Sequence, residues 1–139
     1  MNSLDPVSPM PAGAAALDGY RVALDDYIAG TNTHDFDQVR PLLHPDVVFR
    51  FNDMDCTSLL AAQRYFENTW SVVQSEHYEA VEVTWRVPTP TTAIASYTYR
   101  WTGFIDGERH RGSGRATNVF VIDPAGRWVL AHEHLSPSR

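Results

Sequence analysis

The stretch RATNVFVIDPAGRWVLAHEHLS, Arg115 to Ser136, reads as a strand, a tight turn and a second strand. Asp123-Pro124-Ala125-Gly126 carries the turn chemistry, and the flanking runs are rich in β-branched and aromatic residues. The same period of two extends upstream. AIASYTYRWTGFI, Ala93 to Ile105, reads as a long strand that reverses at Asp106-Gly107 into a hairpin. HYEAVEVTWRV places Val81, Val83, Trp85 and Val87 on one face of a further strand.

Before this run the period is helical. Leu17, Tyr20, Leu24, Tyr27 and Ile28 recur at helix spacing, and Gly30 offers a stop. HDFDQVRPLLHPD has Asp35 as an N-cap and Phe36, Val39 and Leu43 on one face, but Pro41 makes this helix short or broken. VVFRF reads as a strand. TSLLAAQRYFENTWSVV predicts a helix capped by Thr57, with Leu59, Ala62, Phe66, Trp70 and Val73 as its stripe. Helices followed by antiparallel strands predict the α+β class: a curved, cone-shaped antiparallel sheet with about three helices on its concave face. Residues 1–13, with Pro6, Pro9 and Pro11, read as an N-terminal arm, 14–136 as one domain and 137–139 as a tail.

The chain of 139 residues is long enough for one hydrophobic core. Its net charge is −6, and all 11 Lys-plus-Arg positions are arginine. Without a basic run it is a poor match for nucleic acid, whose phosphates need clustered cations. No signal peptide or membrane-spanning run is legible, and the single Cys56 forms no internal disulfide. These features predict a cytoplasmic protein with neither a membrane nor a nucleic-acid partner.

A curved sheet under helices encloses a cavity lined by alternate strand positions. On the last strand Trp128, Leu130, His132 and His134 share one face, and Val129, Ala131, Glu133 and Leu135 the other. The Trp–Leu face predicts His132 and His134 inside and Glu133 outside. A metal would need further ligands beside the histidine pair, and none stands at a recognisable spacing, so no metal and no cofactor are expected.

HDFDQV, Tyr65-Phe66-Glu67-Asn68, the strand around Arg100, Thr102 and Asp106, and GRW followed by HEHLS resemble the nuclear transport factor 2-like superfamily. Within it the sequence is most similar to SnoaL-like proteins and to the association domain of calcium/calmodulin-dependent protein kinase II. The resemblance runs from about Tyr20 to Ser136. It implies a cystatin-like cone, a homodimer or higher homo-oligomer, and cavity arginines at Arg100 and Arg115. Leu135 stands where that association domain carries a third arginine. No aspartate matches the general-base position of the ketosteroid isomerases in the superfamily. Placing Arg100 inside turns Tyr97, Tyr99 and Trp101 outward, although hydrophobicity alone favours the reverse. An outward aromatic row then marks an interface.

Two functions fit. One is a small-molecule-binding domain whose ligand, an anion such as a carboxylate or a carbonyl-bearing molecule, meets Arg100, Arg115, His132, His134, Thr117 and Tyr27. The other is a cofactor-independent isomerase, cyclase or dehydratase with His132 or His134 as acid/base and Arg100 as oxyanion stabiliser. The sequence leaves open whether the protein is an enzyme. The cavity's carboxylates discriminate, since proton abstraction beside a carbonyl often uses an Asp or Glu of shifted pKa.

Overall fold

The computed structural model of the chain describes residues 19–138. The arm expected over 1–13, and Leu17, lie outside the described residues. Helix α1 (Gly19–Thr31) buries Tyr20, Leu24 and Tyr27, the apolar stripe read from the sequence. The segment with Pro41 forms two 3-10 turns, Phe36–Gln38 and Arg40–Leu42, the first capped by the Asp35 side chain. Helix α2 (Leu59–Val72) buries Ala62 and Phe66. Its N-cap is Ser58, which accepts from the Ala61 N–H, in place of the expected Thr57.

Six strands form one sheet: β1 (Leu43–Arg50), β2 (Asp55–Cys56), β3 (Gln74–Thr89), β4 (Thr92–Ile105), β5 (Glu108–Ile122) and β6 (Trp128–Pro137). Their spatial order is β2-β1-β6-β5-β4-β3. The sheet is mixed, because β1 runs parallel to β6 while every other pair is antiparallel. The β4–β5 hairpin turns at Asp106-Gly107, where both residues have positive φ, as a type I′ turn requires. The Asp123 carboxylate organises the next turn by accepting from the Ala125 and Arg127 N–H groups.

Two bulges set what faces inward. In β3, Val81 pairs with Thr98 but Thr84 pairs with Ser96, so one extra residue enters at Glu82, whose φ is 57°. Val81 and Trp85 therefore do not share the single face that regular alternation gives them. In β6, His132 pairs with Val119 but Leu130 pairs with Phe120. Ala131 is the extra residue, and beyond it every side chain changes face.

Tyr97 and Tyr99 are each 5% exposed and belong to the core. The expected outward aromatic interface of Tyr97, Tyr99 and Trp101 is thus corrected. Three aromatic rings have far more to gain from leaving water than a guanidinium does, and the plain alternation of β4 prevails over the family resemblance. Room for these rings comes from β5, where a Cβ on Gly112 would collide with the Trp101 ring and one on Gly114 with the Tyr99 ring.

Gly114→Val tests this close approach. Valine favours strands, so bare propensity predicts stabilisation, whereas the collision with a buried ring predicts a loss of about 1–3 kcal/mol. Urea unfolding measures it, and an unchanged or higher midpoint would show that Tyr99 yields freely.

Candidate active site

The inner face of the sheet and the two helices enclose a cavity of about 230 Å³. Phe51, Tyr65, Phe66, Trp70, Tyr99 and Trp101 give it aromatic walls. Phe51 and Tyr65 are stacked with ring centroids 4.0 Å apart, and Tyr78 stacks on Tyr99 at 5.8 Å. Tyr65 is fixed by donating to Asp53, and Tyr99 by accepting from the Asn52 amide.

Two carboxylates line this space, Glu133 and Glu76. Glu133 is 2% exposed and accepts a 2.9 Å hydrogen bond from the Tyr27 hydroxyl. Burial pushes its carboxyl up to about 7, against the opposing pull of the Tyr27 and Asn118 side chains. Asn118 is itself fully buried and accepts from Tyr97 through Oδ1. Glu76 stands on β3 beyond Ser75, whose φ is 53°, and burial likewise raises its carboxyl to about 7. Tyr27, Tyr78 and Tyr97 have hydroxyls pushed well above their usual pKa, mainly by burial, and remain protonated donors. The hydroxyls of Thr31 and Tyr78 approach Tyr27 and Tyr97 without reaching hydrogen-bond geometry, so each is buried with no partner among the described residues.

Of the ligand-binding residues expected from sequence, only Tyr27 lines the cavity. Arg100, Arg115, Thr117 and His134 are exposed and His132 is half-buried, all on the outer face. The placement of the arginines and histidines in the cavity is therefore corrected. For the histidines the cause is the extra residue at Ala131, which sends Glu133 inward. For Arg100 it is the burial of its aromatic neighbours. Arg115, Thr117 and His134 instead share a groove on the outer face with Glu82 and Thr98. Burial first, then His134 and Arg50, hold the His132 imidazole below its usual pKa.

Sequence reading missed Glu133 and Glu76. Glu133 had a signal: it is the acid among Val129, Ala131 and Leu135 at two-residue spacing, and an acid in an apolar row is a candidate buried acid. Glu76 had none, since it precedes the alternation of its strand.

The SnoaL-like domain family matches residues 21–139. No curated protein sequence matches the chain. Solved structures match in fold. A nuclear transport factor 2 (NTF2-like) superfamily protein from Salmonella enterica superposes with a TM-score of 0.82 at 14% identity, over 91% of this chain and 93% of that one. The S. rosetta CaMKII hub gives 0.73 at 18% identity, over 95% and 98%. A proposed dehydratase of the NTF2-like family from Streptomyces avermitilis gives 0.78 at 18% identity, over 90% and 97%. No helix among the described residues is long and apolar enough to cross a membrane.

The raised carboxyls make stability depend on pH in a definite direction. Between about 4.5 and about 7 the folded chain keeps protons on Glu133 and Glu76 that the unfolded chain has lost, so stability falls as pH rises through this window. Glu133→Gln removes one share of that loss. Between pH 5 and pH 8, wild type is expected to lose on the order of 3 kcal/mol relative to the variant in urea unfolding. A difference that stays constant with pH would mean that Glu133 titrates as an ordinary carboxylate.

Proposed function

The chain belongs to the SnoaL-like domain family, and we propose that it binds a small carbonyl-bearing molecule in its inner cavity and moves a proton on it, as an isomerase or dehydratase, with Glu133 as the base. The observation that carries this reading is a buried carboxylate lining an aromatic cavity, with a pKa near neutrality and a hydrogen bond from Tyr27. A base titrating close to pH 7 is ionised often enough to accept a proton and basic enough to hold it. In the reaction the C–H electron pair moves to the carbonyl oxygen as Glu133 takes the proton. The same carboxyl then returns it at another carbon, giving an isomer. For a β-hydroxy compound, the Glu133 carboxyl that has taken the proton can give it instead to the departing hydroxyl, so that the enolate re-forms the carbonyl, a C=C bond forms and water leaves. Thr31 and Tyr78, whose hydroxyls have no partner among the described residues, stand in the wall that meets the ligand's oxygen. The fold likeness to a proposed dehydratase agrees with this class of chemistry.

The histidine base and the anionic ligand read from sequence give way in this proposal, because the cavity holds acids and none of the described arginines lines it. Hydrogen–deuterium exchange of 2-cyclohexenone in D2O, followed by NMR, tests the assignment. Wild type should accelerate exchange, with a rate that rises through about pH 7. Glu133→Gln should lose roughly 10²–10⁴-fold, the usual worth of a positioned base, and His132→Ala should lose little. The opposite ranking would return the chemistry to the histidine.

Assembly into a homodimer or larger homo-oligomer is part of the proposal, supported by the fold likeness to the CaMKII hub. Its surface would be the outer sheet face, where Ile94, Val119 and Val121 are half-buried. Light scattering should report more than one chain, reduced to one by Ile94→Glu. A wild-type monomer at micromolar concentration would remove this part.

A further inference from the structure

Glu76 lines the cavity beside Trp70, yet no cation or hydrogen-bond donor among the described residues meets its carboxylate. The ion pairs of the described chain all lie elsewhere, at Arg40–Asp37, Arg50–Asp55, His110–Glu108 and Arg127–Asp123. The backbone carbonyl of Glu76 accepts from His34 Nε2 at 2.8 Å if that nitrogen carries the proton. A carboxylate half-buried without a partner is less favourable as an anion than one in open water, as its raised proton affinity records. The cavity it lines is also lined by Trp70, Trp101, Tyr65 and Phe51, rings whose faces attract cations. One face of Trp70 is covered by the His34 ring, stacked at 5.6 Å, while the residue still lines the cavity. The net charge of −6 draws cations toward the protein and repels anions.

We propose that the ligand of this cavity carries an ammonium group, held by Glu76 and the aromatic rings that line the cavity with it, on a body no larger than one substituted ring. The size limit follows from volume. A cavity of about 150 Å³ accepts benzene. This one, at about 230 Å³, adds room for a few substituents and excludes a four-ring skeleton. The inference rests on the proposed function only in taking this cavity as the ligand site. Glu76 supplies binding here, and Glu133 the proton transfer there.

Benzylamine and benzyl alcohol test it as a charged and neutral pair of nearly the same shape. Binding is read from tryptophan fluorescence, which Trp70 and Trp101 report. Benzylamine should bind wild type more tightly than benzyl alcohol. Glu76→Gln should weaken benzylamine by roughly tenfold or more, the scale of a charge-assisted contact, and leave benzyl alcohol unchanged, which also shows the cavity intact. Equal binding of the two probes to wild type, an unaffected benzylamine affinity in Glu76→Gln, or no binding of either probe would each overturn the inference. Benzylamine binding to Glu133→Gln separates the two ideas. Retained binding with lost cyclohexenone exchange supports both roles. Retained binding with unchanged exchange ends the role of Glu133 and leaves the ammonium site standing.

Discussion

The hydrogen bond from Tyr27 to Glu133 joins the first described helix to the last strand across 106 positions of sequence. A carboxylate as buried as Glu133 is tolerated only when hydrogen-bonded or protonated. Its environment uses both routes: Tyr27 donates to one oxygen, and burial shifts the group toward the protonated form. This contact fixes how α1 lies against the sheet. With α1 in place, Tyr20 packs on Trp85 and Trp128, and the 3-10 turns close against Gly30, where a Cβ would press on the Gln38 carbonyl oxygen.

The cavity exists because bulk and its absence are matched across neighbouring strands. Tyr99 and Trp101 on β4 lie over Gly114 and Gly112, their cross-strand partners on β5. At the other end of the same two strands Ala93 and Ala95 face Phe120 and Asn118, and that end is filled. An aromatic opposite a glycine leans across the sheet and becomes a wall. An aromatic opposite an alanine becomes core. The position of the cavity along the sheet thus follows from two glycines of the β4–β5 hairpin.

Local features were legible. The helix stripes of Tyr20, Leu24 and Tyr27 and of Ala62 and Phe66, the Asp106-Gly107 turn and the helix-then-strand order depend on neighbours in sequence, and each stands in the structure. The family resemblance likewise gave the fold. The site was not legible because it depends on pairing between strands. The start of β6 is buried on both faces, with Trp128 at 9%, Val129 at 3% and Leu130 at 0% exposure. No alternation there shows where the count must restart, so extending parity from Trp128 and Leu130 to His132 crosses the bulge unseen. For Arg100 the failure had another source. The alternation of Tyr97, Tyr99 and Trp101 already placed it outside, and a likeness of strand motif outweighed that physical signal.

The bulge at Ala131 also bears on how the lining of such a cavity can change over time. Substitution alters one side chain in place, but loss of one residue at a bulge reverses the facing of everything after it. In β6 such a loss would exchange Glu133 for His132 and His134 in a single mutational event, with no new amino acid required. The strand therefore stores two alternative linings for one cavity, an acidic one turned inward and an imidazole one held on the opposite face. A one-residue gap in this strand would therefore change which side chains line the cavity while leaving the His-Glu-His residues themselves unchanged.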